Sequence, residues 1–194
     1  GPGNGGVNSW LNASGGGYGG AGGGSGPVAG GTVYGTKFTP TALGSSGGTY
    51  NEDIVARCGA GGGGIKLSVS GTITVSGTLS ADGNAGNGGG PQGGGAGGSV
   101  YLIVDTLAGS GTISVDGGDG YGTQAGGGGG GRVALYYTTS YSITPVATGG
   151  TYTNSASAGA DGTVYIEGGS GTFTWTGTTD TDWHTATNWN PSGA

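Results

Sequence analysis

The chain is 194 residues long, 57 of them glycine, with charged residues at 7% and a formal net charge of −6. Its four cations, Lys37, Arg57, Lys66 and Arg132, cannot neutralise a row of phosphates, which excludes nucleic acid as a partner. No apolar run approaches the roughly 20 residues that a membrane-spanning helix needs.

Residues 1–30 form a glycine-rich N-terminal segment in which Gly17, Gly20, Gly23 and Gly26 recur every third position. Three residues per turn is the period of the polyproline II helix. Polyglycine in that conformation can pack side by side through backbone hydrogen bonds because no Cβ intervenes. Ordered glycine layers are the favoured reading, with flexible solvent loops as the alternative. Order is preferred because disordered chains are usually highly charged and poor in β-branched residues, whereas these tracts alternate with Val, Ile, Leu and Tyr runs. The chain has no methionine, so a processed product is expected, consistent with removal of a secretion signal.

From 31 to 170 an apolar strand recurs after each glycine tract, at Thr32-Val33-Tyr34, Ile65–Val69, Val100–Val104, Val133–Tyr137 and Val164–Ile166. Counted from Val33, Ile65, Val100, Val133 and Val164, the spacings are 32, 35, 33 and 31 residues. Repeats of this length predict a solenoid or related array, in which each unit buries its apolar face only against its neighbours. Within the unit, Gly71–Gly83 is echoed by Gly111–Gly117; both alternate apolar and polar residues and end in Asp-Gly, the pattern of a half-buried strand followed by a turn. The fold class expected is therefore all-β, a β-solenoid such as a parallel β-helix or related stack of strands, with glycine segments partly in the polyglycine II conformation. The piece 51–57 is too short for an independent helix. Residues 171–194 hold Trp175, Trp183 and Trp189 and are read as a cap, a linker or a donated strand.

The combination of Gly111-Thr-Ile-Ser-Val-Asp-Gly-Gly118, a long glycine tract and Gly131-Arg-Val-Ala-Leu-Tyr-Tyr137 resembles the glycine-rich repeat modules of very large secreted bacterial surface proteins. The tail around Trp175, Asp182, Trp183, Asn188 and Trp189 is similar to the Trp/Asn-rich segments of autotransporter-type and adhesin-like passengers. The resemblance implies an extracellular or cell-surface location and a stalk, adhesive or filament role. It carries over no catalytic residues.

The residues themselves offer little for catalysis. His184 is the sole imidazole, near Asp180 and Asp182, and nothing in the spacing of the ten acids singles out a glycosidase pair. One Cys and one His are too few for a structural zinc site. Calcium is the better metal candidate, because Asp82, Asp116 and Asp119 place hard oxygens between glycines. Their setting is loosely similar to calcium-binding nonapeptide repeats, although the Gly-Gly-x-Gly-x-Asp order is absent; a plain turn role is the stronger reading. Cys58 reads as a buried small apolar residue or, more sharply, as an intermolecular bridge. Tyr101, Tyr136, Tyr137, Tyr165 and Trp183 are read either as a sugar-binding platform or as ordinary cross-strand packing.

The expected function is a non-enzymatic structural subunit or stalk module of an extracellular filament or fibre, with no cofactor. It associates with copies of itself through strand edges and glycine packing, with Trp175, Trp183 and Trp189 as assembly candidates and either atypical end of the chain as a donated segment. The alternative is a monomeric adhesin domain that binds carbohydrate or a surface.

Overall fold

The computed structural model describes residues 2–8, 12–50 and 57–169, and the backbone of two short strands at 174–175 and 189–190. The central element is a four-stranded parallel sheet of β3 (Gly64–Thr74), β5 (Ser99–Ala108), β7 (Arg132–Tyr141) and β8 (Thr163–Gly168), in the order β3-β5-β7-β8. Beside it, β4 (Thr78–Ser80) pairs in parallel with β6 (Thr112–Ser114), which is bridged in turn to Val146. Each coil thus runs from a long strand through a short one into a glycine return. This is a β-solenoid of about three turns.

Register explains why the sequence repeats. Ile65, Val100, Val133 and Val164 lie side by side across the sheet, as do Leu67, Leu102, Leu135 and Ile166. Because strand side chains alternate between faces, these rows point together into one core, closed from the other side by Leu79, Ile113 and Ile143. Leu102, Leu135, Val100, Val133 and Ile113 have no exposed surface. Burying a side chain of this size stabilises by about 1.5–3 kcal/mol, so the core rows hold the coils in register. The Asp-Gly echo aligns as Gly77–Gly83 on Gly111–Gly117, placing Thr78, Leu79 and Ser80 beside Thr112, Ile113 and Ser114.

Two expectations differ from the structure. Thr32-Val33-Tyr34 is not a strand, and Val33 is 51% exposed. The reason is that residues 32–43 cross the outer face of the main sheet as a strap, with Arg132 donating to the Tyr34 carbonyl, Tyr136 to Phe38 and Ser99 to Ala42. The N-terminal glycine segment is likewise occupied within its own chain. After the pair β1 (Val7–Asn8) and β2 (Asn12–Ala13), residues 15–31 lie against the glycine returns of the solenoid, so they are not a free segment for donation.

Candidate functional site

The glycine tracts contain no long strand, yet their amides are bonded with a period of three. In 93–98, the N–H groups of Gly93 and Ala96 reach Gly48 and Ser45, those of Gly94 and Gly97 reach Gly126 and Gly129, and those of Gly95 and Gly98 reach Asn84 and Ala81. The segment therefore turns a new donor to a different neighbour at each residue and returns to the same neighbour after three. That is the bonding of a packed polyglycine II bundle, since a polyproline II chain has no internal hydrogen bonds and must satisfy its amides outward. In 126–131 the same rule operates with neighbours all round: donors reach 13–16, 157–160 and 115–118, while its carbonyls accept from Gly20, Gly23, Gly94, Gly97, Gly150 and Thr163.

This packing admits no side chain. A Cβ on Gly128 would overlap the carbonyl of Gly95, and one on Gly94 that of Gly118. The tracts are ordered layers, and the solvent-loop alternative is set aside for them. The glycine residues of the coils and those of 13–31 and 44–48 form one continuous lattice.

The aspartates run along the edge of this lattice. Asp82 accepts the N–H of Asp116 (2.7 Å), Asp116 that of Thr148 (2.6 Å) and Asp119 that of Thr151 (2.7 Å), each in the following coil. Asp82 also accepts from Ser80 and Ser114. The three calcium candidates are thus brought into rungs that tie coil to coil. Among the described residues no cluster of three or more Cys, His, Asp or Glu is arranged to hold a metal ion.

Under the strap lies a buried polar node that the sequence reading missed. Tyr18 is fully enclosed, donates to Ser99 Oγ at 2.7 Å, the Ser99 hydroxyl in turn donating to the Ala42 carbonyl, and lies 5.4 Å from the Arg132 guanidinium. Arg132, only 6% exposed, bonds the Tyr34 carbonyl through Nε and Nη2 and Thr163 through Nη1. Burial pushes the Tyr18 phenol up, against the opposing influence of Ser99 and Arg132. Repetition could not reveal this node, because Arg132 occupies the register position held by Gly64, Ser99 and Thr163 elsewhere.

Of the tyrosines considered as a platform, Tyr101, Tyr136 and Tyr165 share the outer face and continue to Phe38, with centroids 4.9–5.9 Å apart. Their rings meet edge-on or tilted, which is mutual packing; Lys66 and Lys37 sit over the ends of the row. Tyr137 packs instead with Tyr141. An open groove of about 370 Å³ adjoins the row, lined by Ile103, Tyr136, Tyr137, Thr138 and Glu167 among others. Trp175 in β9 (Thr174–Trp175) is the backbone register partner of Trp189 in β10 (Trp189–Asn190) in an antiparallel pair, whereas Trp183, His184, Asp180 and Asp182 lie outside the described residues. Cys58 is half-buried, in no disulfide, and burial raises its thiol pKa.

The last feature is the pair of sheet ends. No described strand covers the outer edge of β3 or of β8. The core row surfaces at both: Leu67 is 37%, Val69 40% and Val164 41% exposed. Among the described residues no helix is long and apolar enough to cross a membrane. Comparison with family models, curated proteins and solved structures finds no match to the chain.

Proposed function

We propose that the protein is a non-enzymatic structural module of an extracellular filament, fibre or stalk, self-associating through its strand edges and stiffened by its glycine lattice. The observation that carries this reading is the parallel sheet whose outer edges at β3 and β8 no described strand covers, with apolar residues exposed at both. Repeat proteins need polar terminal caps to remain soluble as single units, whereas the described ends expose the apolar residues Leu67, Val69 and Val164 beside their polar ones. The low charge adds little repulsion between copies. The likeness to glycine-rich modules of secreted bacterial surface proteins supports an extracellular setting.

The adhesin alternative draws on the exposed aromatic residues Phe38 and Tyr121. Light scattering over rising protein concentration separates the two readings. A filament subunit grows in mass with concentration, and an adhesin that works alone keeps the monomer mass throughout.

A further inference from the structure

We infer that a second copy of this chain docks by laying its β8 edge along the β3 edge of the first, parallel and in the register already used between coils. This rests on the self-association proposed above and specifies its geometry.

The first observation is a glycine series. Gly63, Gly98, Gly131 and Gly162 occupy equivalent positions, just before β3, β5, β7 and β8. A Cβ on Gly98 would overlap the Gly63 carbonyl, one on Gly131 that of Gly98, and one on Gly162 that of Gly131. A Cβ on Gly63 would meet nothing within 4 Å among the described residues. Three of the four glycines are thus required by the coil beneath them. The fourth has the same residue and no described neighbour where that coil would lie. Gly77 repeats the pattern: a Cβ there meets no described residue within 4 Å, whereas its counterpart Gly111 abuts the Gly77 carbonyl.

The second observation is that β8 fits this place. Continuing the internal register sets Thr163–Gly168 of one copy beside Gly64–Val69 of the next, with Val164 on Ile65 and Ile166 on Leu67. The match has the right length, because β8 has six residues and β3 keeps unbroken register for six, up to the irregularity between Val69 and Thr72. Apolar side chains at each end, Leu67 and Val164 among them exposed, then extend both core rows across the junction.

Charge is also complementary. Tyr165 of one copy would lie opposite Lys66 of the next, which already sits 5.2 Å from the ring of Tyr101. Glu167, two residues further along the same face, comes within reach of that ammonium. Such a head-to-tail contact uses different surfaces on the two copies and does not close on itself, so it propagates as a filament.

The test measures association of purified full-length protein by light scattering, with circular dichroism melts as the check on folding. Gly63→Ala is expected to melt like the parent and to remain monomeric where the parent assembles, because its methyl group would overlap the carbonyl of the partner's Gly162. Lys66→Glu and Glu167→Lys are each expected to weaken assembly by up to about fivefold, with the double exchange restoring it. If Gly63→Ala lowers the melting point, the charge exchange decides alone. A parent that assembles while Gly63→Ala assembles equally well, or single exchanges with no effect and no rescue, overturns this register and leaves the filament reading standing. A parent that stays monomeric at every concentration, as it would if further chain of its own covered β3, overturns both.

Discussion

At the residue scale the chain is governed by what a Cβ would strike. Gly128 and Gly94 lie where a methyl group meets backbone rather than a yielding side chain. Gly128→Ala is therefore expected to destabilise by about 1–3 kcal/mol or more in chemical denaturation, the range for overpacking a filled interior. Gln92 presents the opposite defect. It is fully buried, and neither Oε1 nor Nε2 has a hydrogen-bond partner among the described residues. Because an unsatisfied buried polar group costs about 1–3 kcal/mol, Gln92→Met should stabilise the fold, measured as a rise in melting temperature. Tyr18 adds a pH dependence. Its phenol pKa is raised above the ordinary value of 10.0, so the neutral form is favoured in the folded state. That contribution is complete below pH 10.0 and is lost as pH climbs through the raised value. Tyr18→Phe is expected to flatten alkaline denaturation, at the loss of about 1 kcal/mol near neutrality from the Ser99 hydrogen bond.

At the element scale, the rungs from Asp82, Asp116 and Asp119 take the place of the strand ladder at the corner between β-sheet and glycine layer. Asp116→Ala should cost about 1 kcal/mol, whereas Asp116→Asn, which keeps an acceptor, should cost less; a chelator should leave the melting temperature unchanged. The strap of 32–43 is held to the sheet by Arg132, Tyr136 and Ser99, so Arg132→Ala should raise the rate of proteolysis within it while β5 and β7 stay protected. The coils were legible in the sequence because the strand rows Ile65/Val100/Val133/Val164 obey both a repeat and an alternation. Thr32-Val33-Tyr34 carries the same local pattern and is not a strand, since the outer face of β5 and β7 offers it side-chain partners instead of a ladder. The layer of 15–31 was legible in period, at Gly17, Gly20, Gly23 and Gly26, but not in place, and that of 44–48 was not legible at all: any glycine tract can occupy any site in a lattice that reads only backbone. The Tyr18–Arg132 node was invisible because its members are 114 residues apart and occur once.

For the whole molecule, sheet and lattice run on one repeat, so each added coil extends both together. A stack that is regular inside, with no described strand beyond β3 or β8, has at its described ends the same surface that it uses within. Helical reconstruction from cryo-electron micrographs of assembled native protein tests this most directly. Four strand levels per copy, at the usual spacing of 4.7–4.9 Å between paired strands, predict an axial rise of about 19 Å per subunit with the strands crossing the filament axis. Isolated 18.0 kDa particles at every concentration, or filaments whose strands run along the axis, would contradict it.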